Sequence, residues 1–330
     1  MKKTAKYFFI LLIVVALSAV IYFFMGKASK QDKIIWGVSF SAKQAENLGL
    51  DARETYSSLI NELGVKRIKI SVHWDLIEPK SRVYDFQDLD WEMEQAKDKG
   101  VKIILAIGMK TPRWPECHIP EWAKNFNSGE RNKEILEMIK TVVLRYGSYG
   151  NLYAWQVENE PFFSFGQCPK IDTSFLKEEI DLVKSLDSGH KPVIITDTGE
   201  QSFWLKSARF GDILGATIYR KLWSNDLNMY ITYPYPPVFY WRKAQIAKYL
   251  FKKDVIGIEL QAEPWARESL KDLTKEEQEK TMNLAQFIDN VEFAKETGFK
   301  EFYFWGSEWW YWLKTKKNDS RIWDEAKKLF

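Results

Sequence analysis

Two stretches of this chain carry carboxylates beside side chains suited to binding polar ligands. One reads Trp155-Gln156-Val157-Glu158-Asn159-Glu160-Pro161 and the other Glu259-Leu260-Gln261-Ala262-Glu263-Pro264-Trp265. Two carboxyl groups flanking a glycosidic bond can cleave it. One protonates the leaving oxygen, and the other stabilises or attacks the anomeric carbon. Asn159 suits such work, because an amide at that point can hydrogen-bond a sugar 2-hydroxyl as positive charge develops on the ring. Glu160 is therefore the candidate acid, with Glu158 as the alternative. Read without context, either is equally an ordinary carboxylate at the rim of a fold.

These residues need elements that hold them face to face. From residue 34 the chain alternates short β-branched runs with longer amphipathic stretches, the pattern of repeated βα units around a parallel sheet. The expected strands are 34–40, 67–74, 101–109, 152–160, 193–197, 213–219, 254–260 and 301–305, with helices such as 130–146 and 278–297 between them. Eight is the number that closes a (β/α)₈ barrel, whereas an open doubly wound sheet would more often show a Gly-rich phosphate turn after its first strand, and Gly37-Val38-Ser39 is no such turn. The expected fold class is thus α/β, a TIM barrel over residues 31–330. Its chemistry belongs at the C-terminal ends of the strands. The strands ending near Glu160 and Glu259 are the fourth and seventh, which face one another across a barrel mouth, so their carboxylates can approach the ~5–5.5 Å separation of retaining glycosidases.

The motifs in this order resemble the large clan of retaining (β/α)₈ glycoside hydrolases that includes families 5, 10, 39 and 42. Asn159-Glu160-Pro161 looks like the clan's acid/base strand, and Glu259-Leu260 like its nucleophile at the end of strand seven. The run Val72-His73-Trp74-Asp75-Leu76-Ile77-Glu78-Pro79, with Tyr84-Asp85-Phe86 after it, is similar to the second βα unit of families 39 and 42. The resemblance implies that Tyr219 hydrogen-bonds the nucleophile and that Trp305 is a sugar platform. One departure stands in strand two, where the clan usually has an arginine: here Lys69 occupies the aligned position, with Arg67 two residues earlier.

Between the two acids of the seventh strand, Glu259 is the expected nucleophile. At about 3.3 Å per residue, Glu263 would stand about 13 Å further along a straight strand. Glu263 is then a candidate substrate ligand, as are Glu308, His73 and Trp74. Asp197, Glu200 and His118 are weaker candidates of the same kind. The sequence contains 15 Trp. Most must be core, yet several fall at expected strand ends, where an indole can stack on the apolar face of a pyranose.

Composition narrows the rest. Lys2, Lys3, Lys6, Lys27 and Lys30 precede any acid, and without them 43 basic side chains face 45 acidic ones. Such a body has no global field for nucleic acid. Three His and two Cys show no ligand-spaced pairing, so no metal and no cofactor are expected. Residues 7–25 are uncharged and nearly all apolar, about the length that crosses a ~30 Å hydrocarbon core and longer than the apolar part of a cleaved signal. Residues 1–30 are therefore read as a cytoplasmic tip, one transmembrane signal anchor and a short linker, adding nothing to the barrel core. The expected product is a single-pass membrane protein with an extracytoplasmic, monomeric catalytic domain acting on carbohydrate. Cys117 and Cys168, in loops that neighbour one another at the mouth, are expected to pair in that oxidising compartment. Two other readings use the same residues: a transglycosylase, and a non-catalytic carbohydrate-binding surface protein.

Overall fold

The eight β-rich runs pair in parallel and their sheet closes on itself in the computed structural model, which describes residues 2–330. The barrel strands are β1 (Ile35–Phe40), β2 (Arg67–Ser71), β3 (Lys102–Ile107), β4 (Leu152–Val157), β5 (Val193–Thr198), β6 (Ile213–Ile218), β7 (Asp254–Gln261) and β8 (Glu301–Trp305). Around the ring the order is β1-β8-β7-β6-β5-β4-β3-β2, so each strand lies beside its neighbours in sequence. Helices cover the outside. Ser128–Tyr146, for example, starts in a capping box, with the Asn127 side chain accepting from Glu130 N–H and the Glu130 carboxylate accepting from Asn127 N–H. It buries Ile135, Met138, Ile139, Val142 and Val143 on one stripe.

Side chains along a strand alternate between barrel interior and helix layer, so residues two apart share a direction. Ile104, Ala154, Ile194, Ile256, Ile258 and Tyr303 form an apolar cluster of their own, separate from the large core beneath the helices. Two residues further along, the same strands present Gln156 after Ala154, Thr196 after Ile194 and Trp305 after Tyr303, all buried. The apolar plug thus gives way to polar and aromatic groups toward the C-terminal ends of the strands.

Several boundaries differ from the sequence reading. β4 stops at Val157, not at residue 160, because Glu158 and Glu160 adopt left-handed φ values of 57° and 42° that no strand continues. β2 stops at Ser71, and Trp74–Ile77 forms a single helical turn instead. The helix expected over 278–297 is two, Lys275–Glu279 and Leu284–Glu296, since Asn283 caps the second by accepting from Gln286 N–H. An antiparallel hairpin, Lys221–Ser224 with Met229–Thr232, follows β6 and was not foreseen.

Ahead of the barrel runs the helix Lys2–Phe24, in which Lys6–Phe24 is long and apolar enough to cross a membrane. Its last turn corrects the expectation that this segment adds nothing to the body. Phe23 packs against the core, its ring centroid 5.4 Å from that of Phe203 and 5.8 Å from that of Phe239.

Candidate active site

The chain between β4 and the segment that follows it is bent so that consecutive acids do different work. Glu158 is buried, and its two oxygens accept from Met109 N–H at 2.8 Å and Lys110 N–H at 2.7 Å. It ties the loop after β3 to the end of β4. Gly108 allows this, since its φ is 121° and a Cβ there would collide with the Glu158 carboxylate. Both Glu158 oxygens are thus engaged by the loop after β3, and Glu158 does not line the cleft that Glu160 lines, so Glu160 is the better placed of the two acids.

Glu160 faces the barrel mouth. Its backbone N–H donates to Thr196 Oγ1 at 2.7 Å, and its carboxylate Oε1 accepts from the Thr217 hydroxyl at 2.7 Å. Burial pushes its pKa up to about 7, and the charge of Glu259 adds to the rise while the Thr217 hydrogen bond opposes it. A carboxyl group so poised is protonated in a large fraction of molecules near neutral pH and can both give up and take back a proton.

Glu259, near the end of β7, has a different environment. The Lys69 ammonium donates to Oε1 at 2.7 Å and the Tyr219 phenol to Oε2 at 2.7 Å. Lys69 is completely buried, so this is a dry ion pair in the barrel interior. Lys69 thus stands where the clan's arginine was expected, while Arg67 points elsewhere, its guanidinium over the Tyr153 ring and near Glu301. Burial first and Glu259 second drive the Tyr219 pKa well above its usual value, which keeps the phenol a donor.

Asn159 joins the two sides of the mouth. Its amide oxygen accepts from Gln156 Nε2 at 3.1 Å and its Nδ2 donates to Glu116 Oε2 at 3.1 Å. Glu116, like Arg113 described below, is a residue that sequence reasoning missed. It lies in the loop after β3, away from any strand end, and carries a left-handed φ of 73°. Burial, together with the Glu259 and Glu160 charges, raises its pKa to about 8. No local pattern marks it.

Asn159, Glu160, Tyr219, Glu259, Trp305 and Glu116 all line one cleft with a cavity volume of about 460 Å³, within the usual range for ligand sites. A second lobe on the other side of Trp305 contains Arg113, Trp114 and Glu263. Arg113 lies 3.8 Å from the Trp305 ring centroid, is ion-paired to Glu263, and donates to Glu308 Oε2 at 3.0 Å. The chain turns over the rim after Gln261, so Glu263 belongs to this lobe and not to the pocket of Glu160.

Most of the other sequence candidates lie outside the cleft. Glu308 is fully buried and also accepts from Ser41 N–H at 2.7 Å. His73 shares hydrogen bonds of 3.1 Å with Ser41 and with Thr111, and burial holds its pKa well below the usual value, so it is neutral. The His118 ring lies against it at a tilt of 47°, with ring centroids 3.8 Å apart. Trp74 is buried and donates to Glu78 at 2.7 Å. Asp197 accepts from Ser202 and Ser207. Glu200 does reach the cleft, where it accepts from the Tyr240 phenol at 2.7 Å. The expected disulfide is present, joining Cys117 to Cys168 and so strapping the loop of Arg113 and Glu116 to the segment after Glu160.

A closed parallel (β/α)₈ barrel with paired buried glutamates at the C-terminal ends of its fourth and seventh strands is the construction of a glycosidase. The comparisons agree. Residues 46–324 match the model of glycoside hydrolase family 42, described as beta-galactosidase, and the chain belongs to that family. Among solved structures it is similar to a GH5_18 protein from Streptomyces cattleya in complex with GlcNAc, at 13% identity and TM-score 0.56 over 84% of this chain and 71% of that one. Xylanase 10B from Thermotoga maritima matches at 16% identity and TM-score 0.56 over 83% of each chain. A beta-galactosidase from the psychrophilic Marinomonas ef1 matches at 12% identity and TM-score 0.54, over 82% of this chain and only 54% of that one. These likenesses are of fold.

Proposed function

We propose that the chain is a retaining glycosidase in which Glu259 is the nucleophile and Glu160 the acid/base. The observation that carries this reading is the contrast between two buried glutamates on one cleft: Glu259 held by an ammonium and a phenol, Glu160 by a neutral hydroxyl and poised near pH 7. In the first step Glu259 bonds to the anomeric carbon while the glycosidic C–O bond breaks and Glu160 passes its proton to the departing oxygen. In the second, Glu160 takes a proton from water as that water's oxygen displaces Glu259, and the sugar leaves with a hydroxyl at C1. Trp305 offers a ring face for the sugar, and Asn159 an amide for its 2-hydroxyl.

The test is a 2-fluoroglycoside that traps the covalent intermediate, followed by peptide mass spectrometry. An aryl β-galactoside is the first substrate to offer, given how the matching family is described. Label on Glu259 is expected, whereas label on Glu263 would reverse their roles. Glu160→Gln should depress turnover by several orders of magnitude on poor leaving groups and far less on activated phenols, which depart without a proton.

We infer also that Lys6–Phe24 is a single-pass signal anchor, with Lys2, Lys3 and Lys6 keeping the N-terminus in the cytoplasm. The disulfide supports an extracytoplasmic body. The full chain should then resist extraction from membranes by alkaline carbonate, and its release would favour a cleaved signal.

A further inference from the structure

The anchor helix joins the barrel without a free spacer. Tyr22 lies under the Arg242 guanidinium, 4.6 Å from ring centroid to Cζ, and Phe24 packs on Tyr235 and Phe239 at 6.0 and 5.7 Å. Beyond it the chain stays against the body. A Cβ on Gly26 would meet Arg242, Lys30 pairs with Glu292 at 3.2 Å, and Gln31 N–H donates to the Lys295 carbonyl at 2.9 Å.

The contacts of residues 22–24 lie in the segment after β5 and at the N-terminal end of the helix Pro237–Phe251, which follows β6. In a βα unit both places belong to the C-terminal end of the strands, the end that bears the cleft. The 19 residues of Lys6–Phe24 span about 28 Å at about 1.5 Å each. A bilayer that accommodates them has its outer interface at Phe23 and Phe24, hence at Phe203, Tyr235 and Phe239. Next to this junction Phe203 is 57% and Leu205 44% exposed. Lys206 follows Leu205 in the chain, and Arg242 sits over Tyr22 of the anchor turn, so both cations lie at the level where anionic headgroups would be.

We propose that the segment Phe203–Lys206 is a membrane-docking edge, seated in the headgroup region of the bilayer that holds the anchor, so that the catalytic cleft opens beside the lipid surface. The occupant is the bilayer because the chain's own apolar span delivers it there. The cleft follows because Gln201 and Tyr233 line its wall, while Phe203 and Tyr235, two residues on, touch the anchor. The proposal rests on the anchor reading above and goes beyond it.

The test uses the full chain in phosphatidylcholine/phosphatidylglycerol vesicles, with its disulfide intact and one added cysteine carrying an environment-sensitive nitrobenzoxadiazole label. Three sites are compared: Leu205→Cys on the edge, Leu144→Cys on the exposed side of the helix Ser128–Tyr146, and Val15→Cys in the middle of the span. Lipids with a nitroxide near the headgroup should quench the label at 205 about twofold and leave that at 144 unchanged, while deep nitroxides quench the label at 15. Quenching at 15 with none at 205 would overturn the docking edge and leave the anchor standing. No quenching at 15 would overturn both. Dimerisation that buries the label at 205, without quenching by lipid, would assign the patch to a second copy and overturn the proposal.

Discussion

At the scale of single residues, the two glutamates differ in what donates to them, and this yields two measurable consequences. Glu160 must be protonated to act as an acid, and its pKa is raised to about 7. The kcat/KM of the free enzyme should therefore fall as pH rises through about 7. Thr217→Val removes a hydrogen bond that favours the carboxylate form, so the pKa should move further up and the basic limb of the pH profile shift to higher pH. A downward shift would contradict the place given to Thr217. On the other side, Lys69→Met removes the buried cation from Glu259. The rate of trapping by a 2-fluoroglycoside should drop by about 10²–10³-fold, the usual cost of losing one preorganised donor at a reacting centre. Trapping at the wild-type rate would show that Tyr219 alone suffices to hold Glu259.

At the scale of elements, the loop after β3 organises the mouth. It supplies Met109 and Lys110 N–H to Glu158, Arg113 to Glu263 and Glu308, and Glu116 to Asn159, and Cys117 straps it to Cys168. The disulfide closes a loop across a sequence separation of 51 residues. By chain entropy such a cross-link stabilises the fold by about 4 kcal/mol. The double variant Cys117→Ser with Cys168→Ser should lose about that much in denaturant unfolding and should lower kcat/KM as well, since Arg113 backs the Trp305 ring from the same loop. Loss of stability with unchanged activity would separate the strap from the site. Little of this loop was legible in the sequence. Strand existence follows from β-branched runs, and the strand-end glutamates from their position. The tasks of Arg113 and Glu116 depend on left-handed backbone at residues 113 and 116 and on partners up to 195 residues away, which no local pattern encodes. Glu158 shows the same limit from the other side. It shares a strand end with Glu160, and only the bend after Val157 decides which of the two faces the cleft.

At the scale of the molecule, the barrel and the apolar N-terminal helix could be told apart in the sequence because one alternates and the other is uniformly apolar, but their contact could not. Phe23 lies within the apolar run and carries no sign that it also packs on Phe203 and Phe239. This contact predicts how two truncated proteins differ. Residues 31–330 lack every contact of the anchor turn, while residues 22–330 keep Phe23 and Phe24 on the barrel without the rest of the span. Neither deletion touches a group lining the cleft, so both should show the same kcat/KM. Burying a large apolar side chain is worth about 1.5–3 kcal/mol when complete. Phe23 is half-buried and Phe24 exposed, so about 1–2 kcal/mol separates the two proteins on that scale. At about 2.1 cal/mol/K of unfolding entropy per residue, each kcal/mol moves the Tm of a domain this long by about 1.5–2 °C. Residues 22–330 should therefore melt about 2–4 °C above residues 31–330, and Phe23→Ala in the longer protein should close most of the gap. Equal melting temperatures would mean that the last turn of the anchor rests on the barrel without stabilising it.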